Sequence, residues 1–181
     1  MLDMLQKCSL FAVLRVFYRE PTKWHYLLEI SRKAHLAHTS VKQHLAVLVK
    51  ENMINKSSEK KGKRNFPIYT ANRENHQFKQ WKKISNQLQL VSLIKYLKDH
   101  FMPKCIVLFG SYQKGEDTEE SDVDIFLECK EEEIPLKKYE KMLQRKIQLH
   151  FQENFKNYPK ELKNNIINGT VMQGYLEAFD R

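Results

Sequence analysis

The stretch Cys105-Ile-Val-Leu-Phe-Gly-Ser-Tyr-Gln-Lys-Gly-Glu-Asp-Thr-Glu-Glu-Ser-Asp-Val-Asp-Ile-Phe-Leu-Glu128 decides how the rest of the chain is read. Cys105 to Phe109 is an apolar run rich in strand-forming residues. Gly110 and Ser111 end it, and a polar segment follows. Asp122 to Leu127 then alternates polar and apolar, the pattern of a half-buried strand. Side chains two apart on a strand share a face, so Asp122 and Asp124 are expected side by side, with Val123, Ile125 and Leu127 opposite. Neighbouring carboxylates repel each other unless a cation lies between them. Hard divalent ions such as magnesium or manganese take oxygen ligands, commonly one or two carboxylates plus substrate phosphates. Gly110 would let a phosphate approach the backbone, and the Ser111 hydroxyl and nearby amides would donate to it. A lone Asp-x-Asp reads as solvated charge at a strand edge. The joint pattern of strand, Gly-Ser, ten residues, Asp-Val-Asp and strand points to a site.

That run resembles the signature of the minimal nucleotidyltransferases of the DNA polymerase β-like superfamily, and the resemblance extends from roughly Gln89 to the C-terminus. It implies a nucleoside triphosphate, ATP in the first instance, bound with magnesium or manganese between Asp122 and Asp124. Gly110 and Ser111 would hold its β and γ phosphates. An acceptor hydroxyl would attack the α-phosphate in line and release pyrophosphate. The family pattern also places a third carboxylate on the next strand, at about Gln148, where this chain has an amide. Glutamine takes no proton and is a weaker magnesium ligand. His150 faces the same way and could serve as a base, since an unperturbed imidazole titrates at about 6.5. Glu128 shares the face but lies roughly 13 Å beyond Asp124 along a strand, too far to substitute. The resemblance suggests an antitoxin-like role, in which the domain adenylylates a partner HEPN-type toxin. A second reading, favoured by Gln148, is a transcription regulator whose nucleotide domain senses without transferring. An aminoglycoside-type transferase is disfavoured, because those chains carry a larger acceptor domain.

The chain has 181 residues, 41% of them hydrophobic, enough for one large or two small domains. No window approaches the roughly 18 uninterrupted apolar residues of a membrane span. Asp3 and Lys7 near the start, without a small-residue cleavage site, predict no signal peptide. Cys8, Cys105 and Cys129 lack metal-ligand spacing, which fits packed thiols in a reducing cytoplasm. The net charge of +9 is unevenly spread: 19 Lys and Arg face 7 Asp and Glu in residues 1–102, a net of +12, against 12 and 15 in 103–181, a net of −3. A polyanion suits the first part.

The spacing predicts helices over Leu10–Tyr18, from Leu27 to Ala34, and from a cap at Thr39 or Ser40, with Val41, Leu45 and Leu48 on one face. Trp24–Tyr26 reads as a short strand, Met53–Ile54 starts another, Lys60 to Arg64 is a turn, and Phe66–Thr70 returns with Pro67 suggesting an edge. Helices followed by a hairpin with a basic tip resemble a winged helix-turn-helix. That resemblance implies double-stranded DNA as a partner, with Thr39, Ser40, Lys42 and Gln43 toward the major groove and Lys60, Lys61, Lys63 and Arg64 toward the backbone or minor groove. The alternative is a winged helix that binds protein. His25, His35, His38 and His44 lack paired Cys or acidic ligands and read as surface or core residues.

Asn72 to Phe101 has neither Gly nor Pro and reads as one long helix or two in series. Its apolar stripes read as core and interdomain packing, with a homodimer seam as the alternative. Helices over Pro135–Arg145 and Pro159–Asn168, a strand over Lys146–Phe151, and an apolar tail from Thr170 to Phe179 complete the chain. The expected fold is α+β: a winged helix over 1–71, a helical linker over 72–101, and a small α/β nucleotidyltransferase domain with a mixed sheet over 102–181, the linker joining it from about 86.

Overall fold

The computed structural model describes residues 8–177, which divide into two compact units on either side of the step from Ser85 to Asn86. The first unit runs α1 (Ser9–Arg19), β1 (His25–Tyr26), α2 (Leu27–Ala34), α3 (His38–Lys50), β2 (Ile54–Lys61), β3 (Arg64–Ala71) and the start of α4 (His76–Phe101). Its strands form an antiparallel sheet in the order β1-β3-β2. The buried core joins Val13, Val16 and Phe17 of α1, Ile30 of α2, and Ile54 and Tyr69 of the sheet to the Val41–Leu45–Leu48 face of α3. Burying each of the larger apolar side chains contributes about 1.5–3 kcal/mol.

Local details differ from the expectations, for physical reasons. Helix α3 begins at His38 behind Ala37, with no side-chain cap, so Thr39 and Ser40 lie inside its first turn. Lys61 pairs with Arg64, which leaves only Gly62 and Lys63 to make the turn. Gly62 permits so tight a reversal because its φ is +63°. Pro67 lies on the central strand rather than an edge. It is tolerated because β1 is short and pairs with β3 only at Ile68 and Tyr69. With no Gly or Pro to break it, His76–Phe101 is a single helix of 26 residues.

The second unit contains the rest of α4, then β4 (Cys105–Phe109), α5 (Gly110–Lys114), β5 (Val123–Leu127), α6 (Lys137–Leu143), β6 (Ile147–Phe151), a 3₁₀ turn at Phe155–Asn157, α7 (Lys160–Ile167) and β7 (Thr170–Gly174). The mixed sheet has the order β6-β5-β4-β7, with β5 and β6 parallel and the other pairs antiparallel. A parallel pair needs a crossover, and α6 lies in it. Leu90, Leu93 and Leu97 of α4 cover one face of the sheet, over Ile106, Leu108, Val123, Ile125 and Leu127. Phe155, Tyr158 and Ile166 cover Cys105, Val107, Phe109 and Phe126 on the other. Phe126 therefore fills, with an apolar ring, the position after Asp124 on the carboxylate face of β5.

The helices predicted over Pro135–Arg145 and Pro159–Asn168 are shorter at both ends. In the tail, β7 ends at Gly174, and Phe179 lies outside the described residues, as do Asp3 and Lys7. Cys105 is a packed thiol, pushed up to about 11 by burial and by the charge of Glu128. Cys8 is exposed, contrary to the packed-thiol expectation. Among the described residues, no helix is long and apolar enough to cross a membrane.

Candidate functional site

Strand β4 delivers the chain to Gly110, whose φ of +77° turns the backbone into α5. The glycine is required there twice over. Its backbone conformation disfavours any side chain, and a Cβ at this position would stand 2.3 Å from Asp124 Oδ2. Asp124 thus lies directly against the turn that begins with Gly110 and Ser111. It sits opposite Phe109 on β4 and opposite Gln148 on β6. Asp122 precedes β5 rather than lying within it.

The two strands complete the arrangement. Gln148 Nε2 donates to Asp122 Oδ2 at 2.5 Å. His150 Nε2 lies 3.5 Å from Asp124 Oδ1. That nitrogen is buried and makes no hydrogen bond among the described residues, while the ring leans on Phe109 at 5.1 Å between centroids. Both side chains are about a quarter exposed, His150 at 25% and Asp124 at 26%, so the carboxylate remains open to a ligand. Gly110, Asp122, Asp124, Gln148 and His150 are therefore one cluster, and Ser111 follows Gly110 at its edge. Glu128 is excluded by more than distance: it is buried, and its Oε1 accepts the Phe155 N–H at 3.1 Å.

The donors fit a hard divalent cation. Asp122 and Asp124 offer carboxylate oxygens, and Gly110 leaves the Asp124 oxygens uncrowded. Gln148 turns its amide nitrogen toward Asp122, so it orients a carboxylate rather than adding a third one. Beside Asp122 a cavity of about 520 Å³ opens between Glu119–Ser121 on one side and Glu140 and Gln144–Lys146 on the other.

Sequence reading missed three buried residues near this cluster: Asn86, Asp117 and Arg145. Their only signal was polarity within segments that had to be covered. It also missed the surroundings of His25, which has acidic neighbours after all. Glu29 Oε1 lies 3.0 Å from His25 Nδ1 and Glu20 Oε2 lies 3.8 Å from Nε2. The Lys33 ammonium bonds to both carboxylates. A histidine and a glutamate at i and i+4 were the available clue.

On the first unit, Thr39, Lys42 and Gln43 are exposed along α3. Ser40 is half-buried, with its hydroxyl 3.4 Å from His44 Nε2, which also meets the Ser9 hydroxyl at 2.8 Å. Lys60, Lys61, Lys63 and Arg64 are all exposed at the hairpin end. Lys61 folds over the Tyr26 ring at 4.3 Å and pairs with Glu59 at 3.7 Å.

Residues 91–174 match the family Polymerase beta, Nucleotidyltransferase. The matched span runs from α4 to the end of β7, within the second unit, and contains the whole cluster. A Methanocaldococcus jannaschii protein described as a "putative protein adenylyltransferase" is 56% identical over 41 residues, 23% of this chain and 41% of that protein. The match thus spans about two fifths of that relative's length. A solved structure described as a "possible transcriptional regulator" from Methanosarcina mazei is 20% identical, with a TM-score of 0.37, over 54% of this chain and 87% of that one.

Proposed function

We propose that this chain transfers a nucleoside monophosphate from a nucleoside triphosphate to a hydroxyl on another molecule. The observation that carries the reading is the packing of Asp124 against Gly110, within a span that matches a nucleotidyltransferase family. Asp122 and Asp124 would hold magnesium or manganese, which supplies charge neutralisation at the phosphates when bound. The Gly110–Ser111 turn receives the β and γ phosphates. The acceptor oxygen forms a bond to the α-phosphorus, the bond to the bridging oxygen breaks, and pyrophosphate leaves. His150, beside Asp124 and about a quarter exposed, would take the hydroxyl proton. The name of the M. jannaschii relative supports ATP as donor and a protein as acceptor. A HEPN-type toxin encoded beside this chain is the acceptor that the family resemblance suggests, in an antitoxin-like role.

The first unit, read as a winged helix over about 1–71, would bind double-stranded DNA through α3 and the basic hairpin. Support comes from the exposure of Thr39, Lys42, Gln43, Lys60, Lys63 and Arg64 and from the +12 balance of residues 1–102. Ser40 and Lys61, partly engaged within the chain, contribute less. The exposed Trp81 and Ile84, on the part of α4 in the first unit, are the surface a homodimer would use. Gln148 favours a second reading, a nucleotide-sensing regulator that binds without transferring.

The deciding experiment incubates the full chain with labelled ATP, magnesium and the product of the neighbouring gene. Label on the partner, lost in the Asp122→Asn/Asp124→Asn variant, supports transfer. Magnesium-dependent ATP binding without label on any partner supports sensing. For DNA, binding should weaken steeply with salt, and replacing Lys60, Lys61, Lys63 and Arg64 by Ala should flatten the dependence. Salt-insensitive binding, or none, makes the first unit a protein-binding module.

A further inference from the structure

Near the carboxylate cluster lies a second polar group, largely buried, with Arg145 at the edge of the cavity beside Asp122. Asp117 is 1% exposed, Asn86 2% and Arg145 9%. Asn86 Nδ2 donates to Asp117 Oδ1 at 2.8 Å and to the Tyr112 carbonyl at 2.9 Å. An Arg145 guanidinium nitrogen lies 3.6 Å from Asp117 Oδ2, and another donates to the Gln144 carbonyl at 3.0 Å. Removing two charges from water is costly, and an apolar trio of similar volume would hold the fold as well or better. A charge pair in this place therefore calls for an explanation other than bulk stability.

The explanation lies in what the trio joins. Tyr112 belongs to the turn that starts at Gly110 and Ser111. Asp117 sits in the connection that ends at Asp122. Arg145 leads into β6, which carries Gln148 and His150. The next residue, Lys146, accepts the Val123 N–H at 2.9 Å through its carbonyl, and Val123 separates the two aspartates. Glu140 Oε1 secures the same junction by accepting the Ile147 N–H at 3.2 Å. All three segments of the site are thus tied to one buried carboxylate.

We infer that Asp117, held by Asn86 and Arg145, is a positioning residue that sets the spacing between the Gly110–Ser111 turn and the β5–β6 face. The inference rests on the nucleotide reading of the site. An isosteric change at Asp117 would remove one carboxylate from beside the buried Arg145, which destabilises the chain whatever its role. Removing both charges separates the two effects.

The test compares the full chain with Asp117→Asn, Asp117→Asn/Arg145→Met and Asn86→Ala. Each is followed by thermal melting, by calorimetry with magnesium and ATP, and by amide hydrogen exchange. Asp117→Asn should melt lower and bind Mg–ATP about tenfold more weakly or worse, as expected when ligand-holding groups lose their spacing. The double variant should recover the melting temperature and keep the weak binding. Asn86→Ala, which leaves the charge pair intact, should weaken binding too. In all three, amides of 110–115 and 147–149 should exchange faster while those of 105–109 hold. A double variant that regains parental affinity along with stability overturns the inference, and so does unchanged exchange in both segments. If the parent itself binds no Mg–ATP, the nucleotide reading falls, and the exchange pattern alone decides the positioning role.

Discussion

The first unit places a histidine beside two carboxylates and the second places one beside Asp124, and the two clusters are finished differently. In the first, Glu20, His25 and Glu29 bring their ligand atoms within 4.8 Å of one another, and Lys33 supplies a cation from the chain itself. His25 is fully buried, with both ring nitrogens facing acceptors. In the second, among the described residues, Asp122 receives a neutral amide from Gln148 and the His150 nitrogen facing Asp124 makes no hydrogen bond. By residue type the first cluster looks more like a metal centre. By saturation it is closed by its own lysine, whereas among the described residues no lysine or arginine pairs with Asp122 or Asp124. A count of candidate ligands is therefore a poorer guide to function than whether the fold already satisfies them.

The largest effect that would sharpen this contrast is at the aspartates. Asp122→Asn/Asp124→Asn should lose Mg-dependent ATP binding to below detection by calorimetry and leave the melting temperature near the parent's. Parental affinity in the double variant would erase the distinction between open and closed clusters. Next comes the amide. Gln148→Asp should raise the rate of label transfer by about 10²–10⁴-fold, the usual worth of a general base, with little change in nucleotide affinity. His150→Ala should lower whatever rate the parent has. A parent already as fast as Gln148→Asp would show that Gln148 does not stand where the third carboxylate belongs. Gly110→Ala follows: the added Cβ displaces Asp124 and the φ of +77° is strained. Stability should fall by about 1–3 kcal/mol, read by denaturant titration, and Mg–ATP binding should weaken with it.

The smallest effect belongs to the closed cluster. Burial raises the Glu20 carboxyl, but Lys33 and Lys23 draw it below its ordinary value. Burial likewise opposes Lys33 and His25 at Glu29, which also ends below. Lys33, despite burial, is held above its ordinary value by the two carboxylates. The carboxylate contribution is therefore present above pH 4.5 and fades as acid carries the pH through the lowered values. The ammonium contribution is present below pH 10.5 and fades as the pH rises through the raised value. These side chains are 22% to 38% exposed, so Lys33→Met should cost about 1 kcal/mol or less at neutral pH. Nucleotide binding should be unchanged. A large loss, or metal binding by the parent at Glu20 and Glu29, would break the comparison.

What was legible in the sequence was periodic or punctuated. The alternation from Asp122 to Leu127 located β5 and its faces. Val41, Leu45 and Leu48 located the buried side of α3, and the lack of Gly and Pro made α4 continuous. Features that depend on partners far along the chain were not legible. Nothing near Asp117 announces Arg145, and nothing near Glu20 announces Lys33. Short elements also escaped. Helix α5 has five residues and opens with a glycine, so neither propensity nor period marks it. Glu128 has the right parity for the site and is drawn out of it by the Phe155 amide, a partner 27 positions away.

The contact between Gly110 and Asp124 also limits how this chain can drift. Any side chain at position 110 requires the residue at 124 to retreat, and a smaller residue at 124 gives up a carboxylate before room at 110 has any use. Neither single change is neutral, and together they trade the open site for an ordinary packed turn. The two positions, fourteen apart in the chain, should therefore change together. Descendants that lose the contact should lose both halves, and those that keep Asp124 should keep the glycine even where the rest of the turn has changed.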